Sequence, residues 1–286
     1  MSRLAGSRAW ASFAWIAPLN GRILFGGGLV LLIVFIAAAA PLLATHDPLR
    51  VQMSMRLMPP SADNWLGTDN NGRDIYSRIV HGARVSVVVG MAVVILTTVI
   101  GTFIGLVSGY FRRLDGPLMR FMDALMSFPS ILLAIAIVAA LGASIQNVVI
   151  ALTVSFIPHT ARVVRGKVLS VREETFVESA RAIGLGDWLI IKRYILPNVM
   201  APLMVQATFI LALAIIAEAG LSYIGAGTPP PQPSWGNILS DGRAYLHNAW
   251  WMTTFPGLFI MISVLGLNIM GDGLRDKLDP RMEAGR

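Results

Sequence analysis

The sequence predicts an all-α protein that crosses a membrane with six transmembrane helices. Three observations carry that expectation. The 286 residues are 55% hydrophobic and only 14% charged, whereas ordinary soluble domains carry about 25% charged residues. Six apolar runs approach the ~20 residues that a helix needs to cross a hydrocarbon core of about 30 Å. The 23 Lys and Arg residues gather in short tracts beside those runs, as membrane topology requires. That placement argues against nucleic-acid binding, which the net charge of +7 alone would permit. With no cysteine, neither a disulfide framework nor thiolate chemistry is available.

The first span, 23–44, follows Arg3, Arg8 and Arg22. Its apolar run exceeds the about 7–15 residues of a signal-peptide core, so it is expected to remain as an uncleaved helix. The organisation that follows is an N-terminal segment 1–22, a first helix with an external segment over 23–84, a five-helix core over 85–271 and a tail 272–286. The second span, 85–110, carries Gly90, Gly101, Gly105 and Gly109, and the last three form a small-residue stripe against which another helix can pack closely. The third and fourth, 121–141 and 145–163, are separated only by Gly142, Ala143 and Ser144, a tight hairpin. Asp123 falls in the first turn of the third helix, where an acid complements the helix dipole. The fifth and sixth spans are 200–222 and 251–271.

Charge orients the bundle. With the N-terminus in the cytoplasm, 17 Lys and Arg lie inside and 6 outside; the reverse orientation inverts the ratio and violates the positive-inside rule. Both termini and the loop 162–198 are therefore expected on the cytoplasmic side. That loop holds seven basic residues: Arg162, Arg165, Lys167, Arg172, Arg181, Lys192 and Arg193. Over 168–183 it has no glycine or proline, and Val168, Val171, Phe176, Val177, Ala180 and Ile183 make one rough apolar helical face. Ser170 and Glu173 have capping-box spacing. Gly184 suits a left-handed helix cap, Asp187 suits the cap of a second helix over 188–195, and Pro197 is placed to end or kink that helix. Read from the residues alone, this stretch is either an amphipathic helix on the membrane surface or a docking element.

The order Glu178, Ser179, Ala180, three residues, Gly184, nine residues, Tyr194, one residue, Leu196, Pro197 resembles the coupling loop of binding-protein-dependent ABC importer permeases. The family pattern is Glu-Ala-Ala, three residues, Gly, nine residues, Ile-x-Leu-Pro, so Ser179 and Tyr194 depart from it mildly. The resemblance extends along the chain. The stretches around His46, Asp47 and Pro48, from Trp65 to Asp74, from Met122 to Pro129, around Trp235, and from Gly271 to Asp276 followed by Asp279, Pro280 and Arg281 are similar to the dipeptide/oligopeptide/nickel permeases, on the side of their C-type subunit.

The resemblance implies a type I ABC importer permease fold in a bacterial inner membrane. It implies a second, different permease subunit, two ATPase subunits that hold ATP and Mg, and a periplasmic or lipid-anchored substrate-binding protein. It assigns ATPase coupling to Glu178, Ser179, Ala180, Arg181, Gly184, Leu196 and Pro197. The cargo it implies is dipeptides or short oligopeptides; nickel chelates, glutathione or another small solute are the alternatives within the family. It puts the segment with Trp65, Asp69, Arg73 and Asp74 on the outer surface, where a binding protein lands.

No catalytic chemistry is expected on this chain. There is no phosphate-binding loop and neither a nucleophile elbow nor a His-Glu-x-x-His zinc motif, so no cofactor or metal is assigned to it. Asp69, Asn71 and Asp74 do not make an EF-hand, because Arg73 stands where a ligand belongs; a turn at Asn71 and Gly72 that starts a helix fits better. His46, His81, His159 and His247 are scattered, and His159 is read as a packing residue. Glu218, in the last turn or so of the fifth span, is a candidate for the translocation path, because an acid at membrane depth is costly; the plainer reading is an interfacial acid bonded to a neighbouring helix. An ion-driven secondary transporter is the competing class, and the position of the acids near span ends disfavours it.

Overall fold

The computed structural model describes residues 20–278; Arg3, Arg8 and the end of the tail with Asp279, Pro280 and Arg281 lie outside them. Among the described residues every regular element is a helix, with a single isolated β-bridge between Thr68 and Asp74.

Helix α1 (Gly21–Ala38) turns at Ala39 into the short α2 (Ala40–Leu43), which together match the expected first span. An irregular segment with one 3₁₀ turn (Met53–Met55) leads to α3 (Ile75–Tyr110). The expected start at 85 is ten residues late. Asp74 caps the helix by accepting from Ser77 N–H at 2.8 Å, and the basic residues Arg78 and Arg84 sit on the helix instead of in the preceding loop.

The expected third span is not one straight helix. It divides into α4 (Arg112–Met126) and α5 (Ser130–Leu141), bent by 86°. Pro129 removes a backbone donor and disfavours a helical conformation for the residue before it, and Ser127 Oγ turns back to the Ala124 carbonyl at 2.7 Å. Asp123 therefore lies in the last turn of α4, not the first turn of a helix, and pairs with Arg162 at 2.6 Å. Five of the described helices are long and apolar enough to cross a membrane singly, and the count reaches six when the bent pair is taken as one span. Ser144 caps α6 (Ile145–Arg172), and the Asn147 amide closes the hairpin onto the Leu141 and Gly142 carbonyls, each at 2.9 Å.

Helix α6 continues through Arg162, Arg165 and Lys167, so three basic residues expected in a loop belong to a helix. The expected helix over 168–183 is likewise split. Val168 and Val171 finish α6, Glu173 and Glu174 break the chain, and α7 (Thr175–Ala182) starts anew. Ser170 is inside α6 and caps nothing. Then follow α8 (Asp187–Ile190), a π turn (Ile191–Ile195) and α9 (Leu196–Tyr223), which run on as one span from Asp187 to Tyr223. Pro197 does not end this helix. In an α-helical turn its ring would clash with the carbonyl four residues back and its missing N–H would leave that carbonyl unpaired; the wider π turn just before it accommodates both. Asp187 is the first helical residue and not the cap, a place taken by Gly186. Helix α10 (Trp235–Gly242) has a full capping box between Ser234 and Asn237, and α11 (Trp251–Leu278) closes the bundle.

The glycine stripe sets the central contact. Helices α3 and α6 run parallel, with Gly101 against Thr160, Gly105 against Val164 and Gly109 against Val168, rung after rung at every fourth residue. A methyl group on Gly105 would fall 2.6 Å from Val164 Cβ, so only glycine allows this approach. Buried apolar residues fill three large zones and a small fourth one around Met122, Ile157 and Ala161. One lies at the α10 end around Ile79, Trp235 and Met252; one lies mid-bundle around Val93, Leu152 and Ile210; one lies at the α7 end around Val168, Val177, Ile190 and Ile195.

Candidate functional site: the loop at the α7 end

The third zone fixes α7 rigidly to the bundle. Val177 and Ala180 are buried against Val168 and Val171 of α6 and against Ile190, Ile191 and Ile195. Arg172, itself buried, donates to the Gly109 and Tyr110 carbonyls at 3.0 and 3.4 Å. These are carbonyls in the last turn of α3, which lack helical partners and carry the negative end of the helix dipole. Tyr110 ties in the other side of the loop. Its hydroxyl donates to Asp187 at 2.6 Å, and the Arg181 guanidinium lies 5.3 Å from its ring centroid. One residue at the end of α3 thus touches both arms of the helix–turn–helix.

The turn itself is a Schellman motif. Gly184 N–H donates to the Arg181 carbonyl at 2.9 Å, and Leu185 N–H to the Ala180 carbonyl at 3.1 Å. Gly184 has φ of +81°, as the motif requires. Leu185 packs back on the same cluster as Ala180, which is the apolar contact that usually accompanies this cap.

What this scaffold presents outward is mixed. Glu178, Ser179 and Arg181 are exposed on α7. Ile183 is 77% exposed and Trp188 72%, though both are large apolar side chains. Phe176 stands partly exposed beside Tyr194, ring centroids 6.2 Å apart. Ile183 and Phe176 therefore leave the single apolar face expected for this stretch; only Val177 and Ala180 of α7 point inward. Of the other motif residues, Leu196 is half-buried and Pro197 exposed at the entry to α9. Beside the loop lies a groove of about 580 Å³ lined by Tyr110, Phe111, Leu114, Asp187 and three arginines: Arg112, Arg113 and Arg181. Exposed apolar knobs on a rigid support, rimmed by charge, are the usual form of a protein docking surface.

Helix α4 is bound to the same end of the bundle. Arg165 holds Asp115 with two bonds, 2.5 and 2.7 Å, and Arg162 holds Asp123. Tyr110 is not singled out by the sequence, and Arg172 is there only one of seven basic residues with no role of its own. A tyrosine closing an apolar span is common at membrane interfaces and carries no distinguishing signal.

The opposite end differs from expectation. Asp69, Arg73 and Asp74 are interior, and only Trp65, 55% exposed and packed on Tyr76, faces outward. The Asp69 carboxylate accepts from Arg73 Nε at 2.6 Å and from Arg78, and both guanidinium groups also reach Asp241, at 3.1 and 3.2 Å. Two arginines and two aspartates neutralise one another, which is what permits their burial. Asp69 also accepts from the Asn71 and Arg73 N–H groups, so the Asn71–Gly72 stretch is a turn folded on this carboxylate. Asp69 and Arg73 thus brace the segment before α3 against α10, while Asp74 caps α3 and accepts from Asn64, and all three are buried. Asp241, 168 residues from Arg73 in sequence, and Arg78 were both missed.

Glu218 is also interior. It is 0% exposed and accepts from Ser222 at 2.7 Å, Ser86 at 3.2 Å and Thr228 at 3.2 Å. The carboxyl is closed off from the surface, and hydroxyls from α3, from α9 and from the loop after it satisfy it. His159 lies 3.5 Å from Ser130 Oγ, between α6 and the start of α5.

Fold and site together define a polytopic helical membrane protein with an exposed helix–turn–helix loop packed firmly onto its own bundle. Residues 97–284 match the family described as binding-protein-dependent transport system inner membrane component, and the chain belongs to that family. It is 47% identical over 260 residues to a dipeptide transport system permease protein of Alkalihalophilus pseudofirmus, covering 90% of this chain and 86% of that one. It is 42% identical over 281 residues to a di/tripeptide transport system permease protein of Pseudomonas aeruginosa, covering 96% and 91%. A glutathione transport system permease protein of Pectobacterium atrosepticum is 41% identical over 278 residues, covering 96% and 92%.

Proposed function

We propose that this chain is the membrane permease subunit of an ATP-binding-cassette importer that carries dipeptides or short oligopeptides inward, with ATP hydrolysed on separate subunits. The observation that carries the reading is the clamp on α7. Arg172, Tyr110, Val177 and Ala180 join the loop to the ends of both α3 and α6, and those helices are locked together along the glycine stripe. A displacement of α7 by an ATPase subunit is therefore transmitted to the bundle as a rigid-body motion. ATP supplies the driving force only by binding one state of the ATPases better than the other.

In this reading the loop lies in the cytoplasm, as the excess of basic residues at that end supports, with each of two ATPase subunits meeting one of two different permease subunits. Ile183 and Trp188 insert into the ATPase, and Glu178 and Arg181 make the polar rim. The binding protein approaches the opposite end, where Trp65 is the exposed contact. Glu218 acts as a strut between α3 and α9 instead of lining the path.

Short peptides are favoured as cargo because the relatives at 47% and 42% identity are named for dipeptides and di/tripeptides. Glutathione, itself a modified tripeptide, is the second reading, favoured by the relative at 41%. The test is uptake of labelled dipeptide into vesicles that hold this chain with its neighbouring permease, ATPase and binding-protein subunits. Uptake that needs ATP and the binding protein supports the reading. Uptake driven by an ion gradient without ATP overturns it.

A further inference from the structure

Between α6, α9 and α11, near their ends on the α7 side, lies a cavity of about 610 Å³ that the docking loop does not use. Its lining is unlike a lipid-facing surface. Lys167 from α6 and Arg275 from α11 bring two cations, Asn198 and Gln206 from α9 bring two side-chain amides, and Val205 and Phe209 add apolar wall. Among the described residues no carboxylate lines it. Among the described residues neither Lys167 nor Arg275 has an ion-pair partner.

We infer that this cavity is a peptide-carboxylate site on the inner half of the translocation path, with Lys167 and Arg275 taking the C-terminal carboxylate of a short peptide. The inference deepens the proposed function and rests on it. An arginine fork and a lysine from two different helices suit one carboxylate approached from two sides. The amides extend the match. Asn198 Nδ2 already donates to the Tyr194 carbonyl at 2.6 Å, which leaves its Oδ1 to accept from a peptide N–H, and Gln206 both donates and accepts. These two residues are separated by two helical turns, about 12 Å along α9, close to the length of an extended peptide of about three residues. The apolar wall receives side chains of varied kind, which a carrier of many peptide sequences needs. A phospholipid phosphate shares the negative charge, but its acyl chains have no use for amides spaced along the wall.

The absence of native cysteine gives a clean assay on this chain. Ala201→Cys places one thiol on the cavity wall, and Val205→Cys is a second position should the first impair assembly. In vesicles with the full complex, alkylation by a water-soluble maleimide is timed with and without dialanine, and with dialanine amide. Dialanine is expected to slow the reaction several-fold and the amide to have little effect. The double substitution K167Q/R275Q should weaken protection roughly tenfold, the scale of a lost charge-assisted contact. Equal protection by the amide, no protection by either peptide, or protection that tracks anionic phospholipid content instead of peptide overturns the assignment. ATP-driven uptake by the unsubstituted complex is measured in parallel. If uptake proceeds without protection, the site fails and transport stands; if uptake is absent, the transport reading itself has failed.

Discussion

Gly184 isolates the contribution of backbone geometry to coupling. It sits at φ of +81°, and a Cβ added there would meet nothing within 4 Å. Substitution therefore brings no clash within the chain; its whole effect is the cost of a left-handed conformation. For alanine that cost is about 1 kcal/mol, or roughly fivefold in the population of the intact turn. For valine, whose branched Cβ is poorly tolerated at positive φ, it is about 2 kcal/mol or more. Asparagine enters this region readily and should lose well under 1 kcal/mol or so. The account predicts an order of retained function, Gly then Asn then Ala then Val, in the affinity of the ATPase subunit for the solubilised permease and in dipeptide transported per ATP hydrolysed. Transport by Gly184→Val equal to the unsubstituted chain would refute the reasoning. So would Gly184→Asn falling as far as Gly184→Val, since the constraint would then be steric crowding by a partner and not the backbone of the turn.

Arg172→Ala should free α7 from the last turn of α3, with a loss of about 1.5–3 kcal/mol for a buried charged hydrogen-bond donor; limited proteolysis at 173–174 should speed up accordingly, and unchanged cleavage would count against the clamp. Asp69→Asn leaves two buried guanidinium groups facing one remaining carboxylate and should lower stability by about 3–5 kcal/mol, read as a fall in the thermal midpoint of the purified protein. Trp65→Ala, at the same end but exposed, should leave that midpoint nearly unchanged while reducing stimulation by the binding protein. Glu218→Gln keeps Oε1 as the acceptor for Ser222 and Thr228 and offers its amide N–H to Ser86 Oγ, which can turn to accept, so it should fold normally, whereas Glu218→Leu orphans three buried hydroxyls and should lose several kcal/mol at about 1–3 per group; equal stability of the two would sink the strut.

Much of the bundle was legible in the sequence because burial follows simple patterns. The apolar runs found the membrane-crossing segments, the stripe of Gly101, Gly105 and Gly109 found the packing face of α3, and Gly184 found the cap of α7. The boundaries were less legible where a helix leaves the membrane without ending. Helix α6 continues past the apolar run because Arg162, Arg165 and Lys167 lie off the face that buries Val164, Val168 and Val171, and hydropathy alone does not separate those faces. At Pro129 the opposite happened: an apolar run continues across a bend of 86°, and the proline was the sole local signal. Long-range pairing was not legible at all. Nothing near Asp69 or Arg73 in sequence points to Asp241, and nothing near Arg181 or Asp187 points to Tyr110, because these partners meet only once the helices have packed.

The central claim is that the loop at the α7 end meets an ATPase while the opposite end meets a binding protein. The absence of native cysteine allows single thiols to be placed by Ile183→Cys and Trp65→Cys, each tested with a short thiol-to-amine cross-linker in the assembled complex. The account predicts that position 183 links to an ATPase subunit and position 65 to the binding protein. Links in the reverse pattern, or no link from position 183 in a complex that transports peptide, would contradict it.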